Sequence, residues 1–127
     1  MACQIEEMNG LRVVVDDIVS LPDMETPTDR PFAFAYFLTI FNETDRAVDI
    51  RGRKWVIRGE DGQVSVVEGD GIVGKFPRIG PGENFSYNSY HVIAADSIAE
   101  GAFFGLREDG IPVLTRIPRF RMVIPVC

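Results

Sequence analysis

Apolar and polar side chains alternate with a period of two along most of this chain. The clearest case is residues 32–41, where Phe34, Tyr36 and Leu38 share one face and Ala35 shares the other with its neighbours. Aromatic and branched residues at this period are typical of a β-strand. Similar patterns predict strands at residues 11–19, 47–51, 53–58, 63–68, 84–92, 102–108, 112–116 and 120–126.

Two Asp-Gly steps predict β-hairpins. Asp61-Gly62 and Asp109-Gly110 each stand between two of these strand patterns, and glycine accepts the backbone angles that tight hairpin turns require. No segment keeps a helical period, and residues 94–99 have room for one helical turn at most. About eight short strands separated by turns predict an all-β domain, an antiparallel sandwich or barrel.

Length and composition fit one domain covering residues 1–127, with residues 1–10 loosely attached. The net charge of −6 gives no long-range attraction to a phosphate backbone, which disfavours nucleic acid as a partner. Cys3 and Cys127 lie near the two ends, whereas a disulfide framework would place several cysteines within the domain. No apolar run is long enough to span a bilayer, and the acidic N-terminus lacks a signal-peptide pattern. We therefore expect a cytoplasmic protein without a membrane partner.

Five motifs follow one another from Phe34 onward. They are Phe34-Ala35-Tyr36 followed by Asn42, Arg53-Lys54-Trp55-Val56-Ile57, the G-x-G-x-x-G-x-x-P pattern of residues 69–77, the P-G-E-x-F-x-Y pattern of residues 81–87, and Ile117-Pro118-Arg119-Phe120 followed by Pro125. In this order they resemble the ApaG domain family over residues 12–125. The chain departs from the family pattern at Lys54, where the family usually has His, and within residues 89–101.

The resemblance implies an antiparallel immunoglobulin- or fibronectin-type-III-like β-sandwich without an established activity. Members of the family occur as stand-alone bacterial proteins, linked genetically to cobalt and magnesium resistance and to diadenosine tetraphosphate metabolism. The domain also occurs within eukaryotic F-box proteins and a polymerase-interacting protein, where it resembles a protein-interaction module. We therefore expect a non-enzymatic module that binds another protein, and a homodimer through a sheet edge is a further expectation.

The G-x-G-x-x-G pattern of residues 69–74 also matches the dinucleotide-binding fingerprint. That fingerprint needs a helix after its glycines, whereas residues 75–82 contain two prolines and two glycines, which prevent a helix. A crossover loop is the simpler interpretation. The alternative is a phosphate, pyrophosphate or nucleotide held by backbone N–H groups, in a binding protein that the resemblance would link to dinucleoside polyphosphate or to cobalt and magnesium homeostasis. Its candidate residues are Gly69, Gly71, Gly74, Lys75, Arg78 and Arg53, although Glu68 and Asp70 would repel an anion. A third hypothesis is an enzyme or regulator of dinucleoside polyphosphate metabolism.

Catalytic and metal-binding residues are scarce, so we expect no enzyme, no metal site and no cofactor. His91 is the only histidine, and a nucleophile needs a base beside it. The acidic pairs Glu60-Asp61 and Glu108-Asp109 belong to predicted turns, where their local hydrogen bonds are favoured.

The aromatic residues divide into a predicted core and a candidate surface. Trp55 is expected between the sheets with its N–H hydrogen-bonded. The other predicted core aromatics are Phe34, Tyr36, Phe85, Tyr87 and Phe104. Phe76 and Tyr90 lie outside the clearest alternation and are the candidates for an exposed interaction surface.

Overall fold

The computed structural model describes residues 5–126, which form nine β-strands and no helix. The strands are β1 (Glu6–Glu7), β2 (Leu11–Ser20), β3 (Phe32–Asn42), β4 (Val48–Gly59), β5 (Val64–Asp70), β6 (Arg78–Ile79), β7 (Asn84–Ile93), β8 (Ser97–Arg107) and β9 (Pro112–Met122). The all-β class predicted from the alternation is confirmed.

The strands form two sheets that face each other. The larger sheet has the order β1-β9-β8-β4-β5, with β6 also on β4, and the smaller has the order β2-β3-β7. Every pairing is antiparallel except that of β1 with β9. On one side β2 lies against β9, and the Thr115 hydroxyl donates to the carbonyl oxygen of Leu11 at 2.6 Å. The predicted antiparallel sandwich is thus confirmed. The side of the sandwich opposite β2 and β9 is bounded by the edge strands β5 and β7.

The core lies between the sheets because alternate residues of each strand point inward. From β3, Leu38 and Ile40 are 0% exposed, and from the facing sheet Trp55 and Phe103 are 1% and 0% exposed. Phe34 and Tyr36 are also buried, and Phe85 and Tyr87 pack against this core from β7. The Trp55 ring packs on the Tyr36 ring with centroids 4.8 Å apart, so these aromatic rings join β4 to β3.

Both predicted hairpins are present, because Asp61-Gly62 joins β4 to β5 and Asp109-Gly110 joins β8 to β9. Residues 94–99, which had room for one helical turn at most, contain no helix and enter β8 at Ser97, which pairs with Gly59 and Met122. One local prediction is wrong. The last strand is continuous from Pro112 but ends at Met122, instead of running to residue 126.

The structure also differs from the sequence prediction at Phe104 and near the N-terminus. The side chain buried between the sheets is Phe103, whereas Phe104 is half-buried and lies on the other face of β8. The segment predicted to be loose contains β1, and the Met8 N–H donates to Leu114 O at 3.1 Å. Cys3 and Cys127 lie outside the described residues. The expectation that they do not form a disulfide framework therefore stays a prediction.

Candidate functional site

The β5 strand forms one edge of the larger sheet and pairs with β4 alone in the part of the chain that the structure describes. The next strand, β6, returns to the far end of β4 and pairs with Val48 and Asp49, so it leaves the outer side of β5 uncovered. An edge strand of this kind presents its unpaired N–H and C=O groups to any other extended chain.

The hydrogen bonds at both ends of β5 identify which backbone groups face outward. The Gly59 N–H donates to Gln63 O at 2.9 Å, and the Gly71 N–H donates to Arg51 O at 2.7 Å. Because an antiparallel pair alternates between bonded and non-bonded residues, the odd-numbered residues of β5 bond to β4. The N–H and C=O groups of Val64, Val66 and Glu68 therefore point away from the sheet.

Apolar side chains accompany these free backbone groups. Val64, Val66 and Val67 are 58%, 55% and 39% exposed. Strand pairing places Val66 beside Val56 on the outer face of the sheet, and it places Val67 beside Trp55 on the inner face. The Lys54 ammonium lies 3.4 Å from the Glu68 carboxylate, so the outer face of the edge also carries an ion pair.

Residues 72–75 form a tight turn after the end of β5. Val73 and Gly74 have φ of 48° and 75°, which is the geometry of a type I′ hairpin turn. The Ile72 N–H donates to Lys75 O at 2.8 Å, and the Lys75 N–H donates to Ile72 O at 2.9 Å. The Gly71 N–H is bonded as well, so all three amide groups donate to backbone oxygens. This arrangement does not favour the nest of free N–H groups that an anion would need.

The basic residues predicted around this loop have different surroundings. Nη1 of Arg53 donates to Asp70 O at 3.0 Å and to Gly71 O at 3.2 Å. A Cβ on Gly69 would lie 2.7 Å from the same Nη1, so that glycine leaves room for the guanidinium. Arg78 pairs with Asp49 at 3.2 Å, and Lys75 is exposed. The structure therefore brings Arg53 beside Gly69 and Gly71, and its guanidinium donates to the carbonyl oxygens of Asp70 and Gly71.

The two candidate interaction residues are both exposed. Phe76 is 58% exposed in the loop after the tight turn, and Tyr90 is 50% exposed on β7. The free edge of β5 is not evident from the sequence, because it depends on strand order rather than on alternation within a strand. One signal was present, namely that Val66 and Val67 are adjacent apolar residues in a hairpin strand and so occupy both of its faces.

The described residues contain neither a candidate metal site nor a candidate membrane-spanning helix. Within residues 5–126, no three or more His, Cys, Asp or Glu side chains are grouped closely enough to hold a metal ion. The same part of the chain has no helix with the length and apolar character that crossing a membrane requires.

Fold and site together define an all-β sandwich domain with an accessible edge strand, and comparisons with known proteins identify its family. The ApaG domain family profile matches residues 22–104. Protein ApaG of Pseudomonas aeruginosa strain LESB58 is 37% identical over 106 residues, which is 83% of this chain and 84% of that protein. Protein ApaG of Vibrio cholerae serotype O1 strain O395 is 32% identical over the same shares of the two chains.

Solved structures agree with the sequence comparisons. A crystal structure from Bordetella pertussis that carries the name ApaA superposes with a TM-score of 0.81 at 28% identity, covering 96% of this chain and 98% of that one. The chain belongs to the ApaG domain family, as the order of its motifs predicted.

Proposed function

We propose that this protein is a non-enzymatic binding module that recognises an extended segment of another protein by adding it as a strand to β5. The observation that carries the proposal is the free edge of β5, with outward N–H and C=O groups at Val64, Val66 and Glu68 beside exposed valines. Strand addition is a common mode of peptide recognition, in which backbone hydrogen bonds give affinity and alternate side chains give specificity.

The side chains of β5 indicate what kind of segment would bind. An antiparallel or parallel strand beside β5 would place alternate side chains next to Val64 and Val66 on the outer face. Both valines are more than half exposed, so covering them with β-branched or aromatic side chains buries apolar surface. The Lys54–Glu68 pair at 3.4 Å would favour a polar residue opposite Glu68. We therefore expect a segment with apolar residues at two alternate positions, followed by a polar residue.

Peptide selection tests the proposal without knowledge of the natural partner. A display library of random linear peptides is selected on the wild-type protein, and binding of the selected peptides is then compared between wild type and a Val66→Pro variant. Proline removes the outward N–H of Val66 without removing a bond to β4, and edge strands tolerate it there. The selected peptides are then titrated into labelled protein, and backbone amide shifts are followed. We expect shifts at Val64, Val66 and Glu68, and about tenfold weaker binding to Val66→Pro, for the loss of one hydrogen bond.

A second variant separates the backbone contribution from the side-chain contribution. Val66→Thr keeps the N–H and the branched shape, so it should retain the shifts and lose only part of the affinity. Peptides whose binding is equal for wild type and Val66→Pro, or shifts that avoid β5, would refute strand addition. Sedimentation of the unliganded protein tests the other occupant, a second copy of the chain. A dimer that Val66→Pro dissociates would mean that β5 serves self-association, against the proposal of a separate partner.

A further inference from the structure

The open side of the sandwich contains a cleft between the inner face of β5 and the β7 edge. Its volume is about 310 Å³, which is at the lower end of the range for small-molecule sites. We call it the inter-sheet cleft. Its lining includes Arg30, Arg53, Trp55, Val67, Ser89 and His91. The cleft lies on the opposite face of β5 from Val66, so it is distinct from the outer surface of the strand.

Two buried side chains that line the cleft have unused polar atoms. Trp55 is 1% exposed and His91 is 6% exposed, and neither Trp55 Nε1 nor His91 Nε2 has a hydrogen-bond partner in the structure. The buried hydroxyl of Tyr87, which lies beyond Ser89 on β7 and outside the cleft lining, is also unpartnered. A buried polar group without a partner costs about 1–3 kcal/mol, and native proteins contain few of them. The two unpartnered groups of Trp55 and His91 at one cleft indicate a place for a ligand with polar atoms.

The Tyr36 hydroxyl belongs to the same polar group of side chains. Burial raises the pKa of Tyr36, and the neighbouring side chains of Ser89, Tyr87 and Trp55 partly offset that rise. These neighbours lie near the hydroxyl, but the Trp55 N–H and the Tyr87 O–H do not reach hydrogen-bond geometry with it. The Trp55 and Tyr87 donors are therefore close to one another and unpartnered, and both are covered from solvent in this structure.

The charges at the inter-sheet cleft favour an anion. Arg53 and Arg30 line it, and the described residues of its lining include no Asp or Glu. Nη1 of Arg53 donates to Asp70 O and Gly71 O, and the guanidinium has further N–H groups that can donate to a ligand. Burial lowers the pKa of His91 to about 4, so near neutral pH the imidazole adds no charge. Trp55 Nε1 can only donate, so the group that approaches it must be an acceptor.

From this arrangement we infer that the inter-sheet cleft binds a small organic oxyanion, a carboxylate or a phosphate ester. Its oxygens accept hydrogen bonds from the guanidinium groups of Arg53 and Arg30, and its apolar body lies against Val67, next to the buried Trp55. Guanidinium groups bind carboxylate and phosphate oxygens through charge-assisted hydrogen bonds. This ligand site does not depend on strand addition at β5, since it uses the opposite face of that strand.

The single tryptophan of the chain provides a direct probe, because Trp55 itself lines the cleft. The indole N–H signal and the fluorescence of the protein are followed during titration with benzoate, phenyl phosphate and uncharged benzyl alcohol. We expect a saturable change with at least one of the two anions at concentrations up to about 10 mM, the range of weak ligands. Benzyl alcohol, which has the same ring without the charge, should leave the indole signal in place. Saturation with one anion only assigns the ligand class to carboxylates or to phosphate esters.

Two adjacent substitutions on β5 locate the site. Val67→Glu places a carboxylate on the cleft side of the strand and should weaken anion binding by at least about tenfold through charge repulsion. Val66→Glu places the same group on the outer face and should leave anion binding unchanged. Because Val66 and Val67 are both exposed, both variants are expected to fold, which the dispersion of their amide spectra checks.

Three results would overturn the inference. The first is the absence of any saturable change at the Trp55 indole with either anion. The second is equal binding of benzyl alcohol, which would remove the role of the charge. The third is equal anion binding by the Val67→Glu and Val66→Glu variants, which would place the anion elsewhere on the protein.

Discussion

The imidazole of His91 stacks on the phenol ring of Tyr36, with ring centroids 4.6 Å apart and planes inclined by 29°. The Trp55 ring meets the same imidazole edge-on, also with centroids 4.6 Å apart. His91 of the edge strand β7 thus contacts an aromatic ring from β3 of its own sheet and another from β4 of the facing sheet. Its burial between aromatic rings gives the stability of the fold a dependence on pH.

Replacing His91 should reduce the acid sensitivity of the protein. Burial lowers the pKa of His91 to about 4 from its ordinary 6.5, so the unfolded chain binds more protons than the folded one between these pH values. The stabilisation is complete above pH 6.5 and is lost as the pH falls towards 4, by about 2–3 kcal/mol at pH 4.5. Burial raises the pKa of the neighbouring Tyr36 and Tyr87, so these phenols stay neutral throughout this window.

Urea unfolding of wild type and His91→Phe at pH 7.5 and pH 4.5 measures this difference. Phenylalanine keeps a flat ring on Tyr36 and removes the titrating group. We expect the free energy of unfolding to fall by about 2–3 kcal/mol less in the variant than in wild type between the two pH values. Carboxylates contribute equally to both proteins and cancel. An equal loss in wild type and variant would show that His91 is already charged in the folded state at pH 4.5.

Asn42 connects three segments and should be costly to remove. Its side chain is 0% exposed, and Nδ2 donates to Arg46 O at 2.8 Å and to Ile79 O at 2.9 Å. Its Oδ1 accepts from Thr44 N at 3.0 Å. Asn42→Ala leaves these backbone groups without their partner, so we expect a loss of about 2–4 kcal/mol in the free energy of unfolding. The exposed Asn84 is the control, since Asn84→Ala should change it by less than about 0.5 kcal/mol.

The alternation in the sequence predicted most strands and the core of β3 and β4, but it failed at Phe104. The even positions of β8 carry Phe104 and Leu106, which makes that face the more apolar of the two. The odd positions, which point inward, include Gly101 and Gly105. These positions require glycine because of the neighbouring strand, which the sequence of β8 alone does not reveal. A Cβ on Gly105 would lie 2.8 Å from Asp49 O, so the close approach of β4 determines which face is buried.

The candidate sites were less predictable than the fold, because each depends on contacts between strands distant in the sequence. The glycines of residues 69–74 were visible as a pattern, but the hydrogen bond of the Gly71 N–H to Arg51 O requires the β4–β5 pairing. Likewise, the core position of Trp55 was predicted correctly, whereas its unpartnered N–H was not. That atom's surroundings come from β3 and β7, whose approach to β4 is set by sandwich packing.

Gly101 offers a test of the close approach between β4 and β8. A Cβ at this position would lie 2.2 Å from Lys54 O and 3.3 Å from Ile117 Cδ1. The oxygen belongs to the backbone of a paired strand, so it cannot move without disturbing the β4–β8 hydrogen bonds. We expect Gly101→Ala to lower the free energy of unfolding by about 1–3 kcal/mol, as overpacked cores do. Ala102→Ser on the opposite face should change it by less than about 0.5 kcal/mol, and a similar loss in both variants would contradict the steric explanation.

Val73 should be a site where substitution stabilises the protein. It is a β-branched residue at φ 48° in the first central position of the type I′ turn, a conformation that costs such residues about 1–3 kcal/mol. It is 57% exposed, so little packing offsets the strain. Asparagine is favoured in this position before glycine, and Gly74 already follows. We expect Val73→Asn to raise the free energy of unfolding in urea by about 1 kcal/mol.

The same substitution at Val64 is the matched control for Val73→Asn. Val64 is 58% exposed, almost the same as Val73, but it lies in β5 with ordinary strand geometry. Asparagine is unfavourable in strands, by up to about 1 kcal/mol relative to valine. Val64→Asn should therefore lower the free energy of unfolding, in the opposite direction from Val73→Asn. Changes of the same sign at the two positions would mean that backbone strain at Val73 does not contribute to stability.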